Sequence, residues 1–146
     1  MSKPECIVSA CLAGEFCRWD GETKANPEVV QLVKRAKAIA LCPEVLGGLG
    51  VPRPGAEIRG GDGKDVLSGK AKVTNNENEE VTEAFLLGAE KFLEQAKKLG
   101  IGKALMKENS PSCGVKRIYQ NEKLVSGCGI TTALLLKNGF QVQGIE

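Results

Sequence analysis

Short apolar segments alternate with amphipathic helical segments along this chain, and that alternation constrains its fold more than any other feature. Segments with the composition of buried strands lie at residues 6–12, 38–42, 101–107 and 140–145. Segments with apolar side chains at helical spacing lie at residues 26–36, 79–99 and 129–137. Strands that alternate with helices are typical of a parallel sheet covered by helices. We therefore predict an α/β fold, in which residues 1–146 form a single three-layer domain with a mostly parallel, Rossmann-like sheet.

The remaining segments have weaker patterns. Residues 44–64 are rich in glycine and proline, which predicts an extended loop, and loops of this length inside compact domains usually have a function. Residues 65–78 are polar and predict a weak hairpin or coil. Residues 118–126 predict a small hairpin around Gln120 and Asn121.

The N-terminal segment has no signal-peptide pattern, and no apolar run approaches the roughly 18 residues that a membrane span needs. We therefore expect a cytoplasmic protein, in which the six cysteines stay reduced. Cysteines in a reducing compartment are more often metal ligands or catalytic thiols than disulfide partners. The 20 basic and 18 acidic residues nearly balance, which argues against a large nucleic-acid footprint.

The chain contains no histidine, and this absence excludes several classes of site. Ser-His-Asp triads, Cys-His dyads, HExxH zinc proteases and mixed Cys/His zinc sites all require that residue. Any metal must therefore be bound by thiolates and oxygens. Any proton transfer must use carboxylates, lysine, tyrosine, thiols or water.

Three cysteines follow predicted strands. Cys11 and Cys42 lie at the ends of the first two strands, and Cys113 lies in the loop after the third. Because the carboxyl ends of parallel strands share one edge of the sheet, we expect these thiols to converge there. Three thiolates without histidine favour a soft metal, either zinc completed by a further ligand or an iron–sulfur cluster. A cluster with only three cysteine ligands leaves one iron open for chemistry.

No role is assigned to the other three cysteines, Cys6, Cys17 and Cys128, which are consistent with small buried side chains. Adding Cys17 as a fourth ligand would close the site and favour a structural or sensing metal protein without turnover. A thiol–disulfide enzyme is disfavoured, because the chain has no CxxC motif and no histidine that would lower a thiol pKa.

Carboxylates and hydroxyls lie close to the three cysteines in the sequence. Glu44 lies two residues after the second cysteine, Ser110 and Ser112 lie just before the third, and Asp20 lies in the loop after the first. Glu44 is a candidate general base at the end of a strand. The alternative is an exposed loop carboxylate for Glu44, and ordinary turn residues for Ser110 and Asp20.

Nine short motifs are spread along nearly the whole chain. They are VSACLAG (8–14), RWDG (18–21), CPE (42–44), GGL (47–49), PRP (52–54), EI (57–58), GDG (61–63), VTEAF (81–85) and SPSCG (110–114). Together they resemble the 2-thiouracil desulfidase family, and the combination of the three cysteine motifs is specific. The aromatic residue before Asp20 in that family is usually tyrosine, so Trp19 departs mildly from its pattern.

The resemblance implies a [4Fe-4S] cluster bound by Cys11, Cys42 and Cys113. It also implies an enzyme that removes sulfur from a thiolated pyrimidine such as 2-thiouracil without a redox step, giving the oxo base and hydrogen sulfide. The expected partner is therefore a small thiolated nucleobase. Sulfur removal from thiolated bases in RNA is an alternative, which the near-neutral charge disfavours.

On this basis we predict four residues that handle the substrate. Glu44 and Ser110 are predicted to be catalytic, with Glu44 deprotonating the attacking water and Ser110, or a nearby backbone N–H group, steadying the charge that develops. Asp20 and Ser112 are predicted to bind the substrate.

Overall fold

The computed structural model describes residues 3–146. Its strands are β1 (Cys6–Ser9), β2 (Ala38–Leu41), β3 (Ala56–Arg59), β4 (Lys72–Asn75), β5 (Lys103–Lys107), β6 (Arg117–Gln120), β7 (Lys123–Ser126) and β8 (Gln141–Ile145). Its helices are α1 (Pro27–Lys34), α2 (Pro43–Leu46), α3 (Gly63–Leu67), α4 (Thr82–Lys98) and α5 (Ile130–Lys137), together with a 3₁₀ helix over Ala10–Ala13. None of the described helices is both long and apolar enough to cross a membrane.

Four strands form the central sheet in the order β2-β1-β5-β8, and every neighbouring pair is parallel. Ile7 of β1 lies opposite Ile39 on one side and Ala104 on the other. The chain passes from β1 to β2 and then returns to place β5 on the opposite side of β1. That reversal creates a crevice beyond the carboxyl ends of β1 and β5.

Alternate residues of the inner strands pack against different layers of helix. Val8 faces α1, where it joins a buried cluster that includes Val29. Ile7 and Met106 face the other side, where they pack with residues of α4 and α5. The predicted α/β architecture, a parallel sheet flanked by helices, is therefore confirmed.

The three predicted helices are present, although α4 begins at Thr82, three residues after the predicted start. Asn26 begins α1 by accepting hydrogen bonds at Oδ1 from the backbone N–H groups of Glu28 (3.0 Å) and Val29 (3.2 Å). In α4, Phe85 and Phe92 are among the fully buried residues on one face.

The short elements between residues 9 and 78 differ from the prediction. The first strand ends at Ser9 rather than at residue 12, because the chain turns there into the 3₁₀ helix. The predicted loop over 44–64 contains most of α2, all of β3 and the start of α3, and the weak hairpin or coil contains β4. Because β3 pairs with β4 across a long intervening segment, neither strand has a local signal.

The predicted hairpin is confirmed as β6 and β7, which pair antiparallel. Asn121 and Glu122 form its turn with φ values of 52° and 63°. Two consecutive residues with positive φ match the right-handed twist of a two-residue hairpin.

Candidate active site

A cavity of about 1000 Å³ opens at the carboxyl-terminal edge of the central sheet. Ser9 at the end of β1, Cys42 after β2 and Lys107 at the end of β5 all line it. It therefore occupies the crevice that the reversal of strand order creates. The β3–β4 and β6–β7 hairpins contribute Glu57 and Tyr119 to the wall farther from the sheet.

Four cysteines line this cavity, and three of them are the predicted ligands. Cys11 lies in the 3₁₀ helix after β1, Cys42 is the residue that precedes the first turn of α2, and Cys113 lies in the loop after β5. Cys17, from the loop after the 3₁₀ helix, is the fourth. The predicted approach of the three segments is therefore present, and it brings a fourth thiol with it.

Cys6 and Cys128 lie outside the lining of the cavity. Cys6 is buried in β1, and Cys128 is buried with its Sγ 3.7 Å from Asp62 Oδ2. Burial, assisted by the negative charge of Asp62, raises the pKa of Cys128 to about 11. Both are small buried side chains, as the alternative interpretation of the sequence allowed.

Burial controls the protonation of two predicted ligands. It raises the pKa of Cys11 to about 11 and raises that of Cys113 further above its ordinary range. Charge on Cys11 and on Cys42 acts in the same direction on Cys113, although a hydrogen bond with Ser9 opposes it. Metal binding reverses this preference, because a coordinated thiol is deprotonated.

Cys42 has the opposite tendency. A hydrogen bond with the Cys17 thiol lowers the pKa of Cys42 to about 7, and the backbone N–H of Val45 assists, while burial acts against both. The same contact raises the pKa of Cys17. Cys42 Sγ also lies 3.8 Å from the carbonyl oxygen of Cys17. Cys42 is therefore the thiol of this cavity that most readily ionises.

The donor set fits an iron–sulfur cluster better than a zinc ion. Within residues 3–146, no three histidine, cysteine, aspartate or glutamate side chains close around the position of a single metal ion. Zinc requires four donors at about 2.0–2.3 Å from one ion. A cluster binds each thiolate to a different iron and so accepts thiols that are spaced more widely.

Glu44 is held on both sides of its carboxylate. Arg53 Nε donates to Glu44 Oε1 (3.0 Å), and Ser112 Oγ donates to Glu44 Oε2 (2.8 Å). The side chains of Arg53 and Glu44 are only 7% and 13% exposed, so this ion pair is shielded from solvent. Glu44 is therefore a fixed, nearly buried carboxylate on the cavity wall and not an exposed loop residue.

Arg53 connects three segments around Glu44. Besides its bond to the carboxylate, Nη1 donates to Gly50 O (2.9 Å) and Nη2 donates to Cys17 O (2.9 Å). The planar guanidinium makes these bonds at once because its donors are rigidly spaced. Arg53 belongs to a motif of the resemblance, yet nothing in its sequence context pointed to this contact.

The two serines form a hydrogen-bonded chain that ends on Glu44. Ser110 Oγ accepts from the backbone N–H groups of Ser112 and Cys113 (both 3.1 Å), which fixes the turn before the cysteine. Ser110 Oγ and Ser112 Oγ lie 3.0 Å apart. Because the single proton of Ser112 is directed to Glu44, Ser110 donates to Ser112.

Asp20 is not among the residues that line the cavity. Its Oδ1 accepts from the backbone N–H of Glu22 (3.0 Å) and pairs with Arg18 Nε (3.4 Å). Burial acts to raise the pKa of Asp20, but the hydrogen bond from Glu22 and the contacts with Arg18 together outweigh it and lower the pKa. In this structure Asp20 shapes a turn and positions Arg18, which does line the cavity.

Two residues that the sequence did not single out complete the wall. Lys107 is buried, its Nζ donates to Glu108 O (3.2 Å), and burial lowers its pKa. Glu108 is buried as well, and its carboxylate accepts from backbone N–H groups of residues 115–117. Two consecutive charged residues at the end of a buried strand are the sequence feature from which their place in the site could have been predicted.

Comparisons with known proteins identify the family of this chain. A family model described as 2-thiouracil desulfurase matches residues 6–146. The uncharacterized protein YbbK of Bacillus subtilis (strain 168) is 45% identical over 139 residues, which cover 93% of this chain and 92% of that protein. The solved structure of TudS, a [4Fe-4S]-dependent thiouracil desulfidase, matches with a TM-score of 0.85 and 41% identity over 97% of this chain and 91% of that one. The chain thus belongs to the 2-thiouracil desulfurase family.

Proposed function

We propose that this chain is an iron–sulfur enzyme that replaces the sulfur of a thiolated pyrimidine such as 2-thiouracil with oxygen. The family match and the similarity to TudS confirm the prediction of a [4Fe-4S]-dependent thiouracil desulfidase. They give no support to a structural or sensing metal protein without turnover. The observation that carries the mechanism is the fixed Glu44 carboxylate on the wall of a cavity that four thiols also line.

Cys11, Cys42 and Cys113 are the proposed ligands of the cluster. They come from the ends of three neighbouring parallel strands and line one cavity, which supports the assignment. A [4Fe-4S] cluster with three protein ligands supplies a Lewis acid that attracts a soft thiocarbonyl sulfur. Cys17 is left as an uncoordinated thiol beside Cys42.

Glu44 is the proposed general base. The ion pair with Arg53 fixes the carboxylate, and each carboxylate oxygen retains lone-pair capacity beyond its present partner. Glu44 takes a proton from water as the water oxygen bonds to the carbon that carries sulfur. The carbon–sulfur bond then breaks, and the sulfur leaves as hydrogen sulfide once it has been protonated. Thione plus water gives oxo base plus hydrogen sulfide, so no electron donor is required.

Ser112 and Ser110 have different proposed roles. Ser112 orients Glu44 by donating to Oε2. Because Ser112 is only 1% exposed, water does not compete for that bond. Ser110 donates to Ser112 and holds the turn that carries Cys113. Its predicted contact with developing charge on the substrate stays a prediction, as does substrate binding by Asp20 and Ser112.

We propose that the enzyme acts in the cytoplasm on a small free base. All six cysteines are free thiols, which suits a reducing compartment. The near balance of charge supports a small-molecule partner over a long nucleic acid.

Anaerobic reconstitution with iron and sulfide tests the ligand assignment. We expect Cys11→Ala, Cys42→Ala and Cys113→Ala each to lose iron content and the visible absorbance of the cluster. Cys6→Ala and Cys128→Ala are matched controls that should retain both. Loss of the cluster in Cys17→Ala, or full iron content in Cys11→Ala, would overturn the assignment.

Sulfide release from 2-thiouracil tests the role of Glu44. We expect Glu44→Gln to slow turnover by about 100-fold or more with iron content unchanged, which is the usual contribution of a general base. Glu83→Gln, an exposed carboxylate at the start of α4, is the control. Full turnover by Glu44→Gln with an intact cluster would remove the general-base role.

A further inference from the structure

The chain contains one tryptophan and one tyrosine, and both line the cavity at the end of the sheet. Trp19 is 47% exposed and Tyr119 is 46% exposed. The exposed Phe16, three residues before Trp19, is not among the residues that line the cavity. Large aromatic side chains at the wall of a site are either partly covered core residues or contact surfaces for a ligand.

The backbone around Trp19 is fixed. Arg53 N–H donates to Trp19 O (2.8 Å), and Gly21 N–H donates to Arg18 O (2.9 Å), which closes a turn with Trp19 near its tip. The guanidinium of Arg53 also contacts Glu44, so the backbone of Trp19 and the proposed base are held by the same residue.

One side of the indole ring is backed by a glycine. A Cβ atom built on Gly55 would lie 3.6 Å from Trp19 Cε3 and 3.7 Å from Cδ2, which is van der Waals contact. No side chain therefore separates this part of the ring from the backbone at residue 55. Because nearly half of Trp19 is nonetheless exposed, packing inside the protein does not account for the side chain.

We infer that Trp19 is the stacking surface for the pyrimidine ring of the substrate, an inference that rests on the proposed function. A flat thiolated pyrimidine matches the aromatic face, and stacking fixes the plane of the ring without using its polar edges. Those edges remain free to direct the thiocarbonyl group towards the thiols. Cys17, two residues before Trp19, lines the same cavity.

Because Trp19 is the single tryptophan, the fluorescence of the holoenzyme reports directly on its surroundings. We expect uracil, the unreactive product, to quench this emission with a saturable dependence on concentration. Phe16→Leu, which alters an exposed aromatic residue of the same loop, should show the same quenching as the wild type. Free N-acetyltryptophanamide with the same uracil series corrects for light absorbed by the ligand.

Kinetics of Trp19→Phe and Trp19→Leu complete the test. We expect Trp19→Leu to raise KM for 2-thiouracil and the inhibition constant of uracil by roughly 5- to 140-fold, as for the loss of one base–aromatic stack. Trp19→Phe keeps an aromatic face and should show a much smaller rise. Iron content and kcat should change little, since stacking binds substrate and transition state alike.

The outcomes separate this inference from the proposed function. Wild-type KM and inhibition constant in Trp19→Leu, with normal sulfide release, would refute stacking and leave the desulfidase intact. Saturable quenching by uracil without sulfide release from any thiolated pyrimidine would support stacking and refute the proposed function. Quenching in the wild type, together with equal rises of KM and of the inhibition constant in Trp19→Phe and Trp19→Leu, would also refute the inference. It would mean that the size of the indole, and not aromatic stacking, is required.

Discussion

Arg53, Glu44, Ser112 and Ser110 form a continuous series of hydrogen bonds beside the thiols of the cavity. Each member fixes the orientation of the next, so the carboxylate oxygen available to water has a defined position before substrate binds. Preorganisation of this kind matters because a displacement of about 1 Å at a reacting group can slow catalysis by about 100-fold.

Replacing Arg53 by lysine preserves the charge but removes the rigid fork of donors. We expect Arg53→Lys to lower kcat for sulfide release by about 10- to 100-fold with iron content unchanged, because Glu44 loses its fixed orientation. Arg35→Lys, at the exposed end of α1, is the control. Unchanged kcat in Arg53→Lys would show that the charge alone is sufficient.

Glu108 is a buried residue that organises the loop leading back from Cys113. Removing its carboxylate in Glu108→Ala leaves the N–H groups of Val115, Lys116 and Arg117 without their acceptor. We expect the free energy of unfolding to fall by about 1–3 kcal/mol, the cost of one unpaired buried group, because Lys116 and Arg117 are exposed and water can replace the acceptor there. Urea denaturation followed by circular dichroism measures this change.

Glu5→Ala is the control for that measurement, since within residues 3–146 the Glu5 carboxylate pairs with Lys37 alone, at an exposed site. An exposed ion pair contributes about 0–1 kcal/mol, so its loss should be barely detectable. Equal losses in the two variants would contradict the organising role of Glu108.

At the scale of elements, α2 and α4 approach so closely that glycine is required directly after α2 and within α4. A Cβ atom at Gly47 would collide with the backbone of Ala84, and one at Gly88 would collide with the carbonyl of Pro43. The contact matters for the site because Cys42 directly precedes α2 and Glu44 lies within it. Packing against the long α4 thus fixes a helix that is too short to be stable alone.

Gly88→Ala sets two effects against each other. Alanine in a helix is favoured over glycine by about 1 kcal/mol, whereas overpacking against a backbone that cannot easily move costs about 1–3 kcal/mol. We expect the second to dominate, giving a net loss of stability and a lower kcat as α2 shifts. Gly102→Ala, where no atom lies within 4 Å of the added Cβ, should leave both unchanged. A gain in stability for Gly88→Ala would contradict the close contact.

The sequence predicted the long elements better than the short ones. The helix α4 has a clear periodicity and charged ends, and β5 has three consecutive apolar residues at its centre, so both were predictable from local pattern. The helices α2 and α3 and the strands β3 and β4 have four or five residues each. They lie in segments without a run of apolar residues, and they form because distant residues pair with them or pack against them.

The candidate site was also predictable only in part. Convergence of Cys11, Cys42 and Cys113 on one cavity follows from strand order and was predictable. The contacts of Glu44 with Arg53 and Ser112 join residues that are 9 and 68 positions apart. Both partners lie in loops, and the sequence does not predict the paths of these loops. The position of Asp20 outside the lining of the cavity likewise depends on a local turn.

At the scale of the whole molecule, the burial of thiols makes the stability of the fold vary with pH in the alkaline range. The folded pKa of Cys128 is about 11 against an ordinary value of 9.0, so the folded state favours the protonated thiol. This stability is fully present below about pH 9 and is lost as the pH rises to about 11. We expect the thermal midpoint to fall across that range, and to fall less in Cys128→Ala, measured by circular dichroism. An identical pH dependence in the variant would contradict the assignment.

The three proposed ligands belong to segments that leave the ribosome at very different times. A nascent chain that has exposed β1, α1 and β2 carries Cys11 and Cys42, yet Cys113 emerges only after α4 and β5. Because β5 pairs directly with β1, the cavity closes only when that late strand docks. The full set of proposed ligands therefore exists only after residue 113 has been synthesised, and any chain truncated before it leaves that set incomplete.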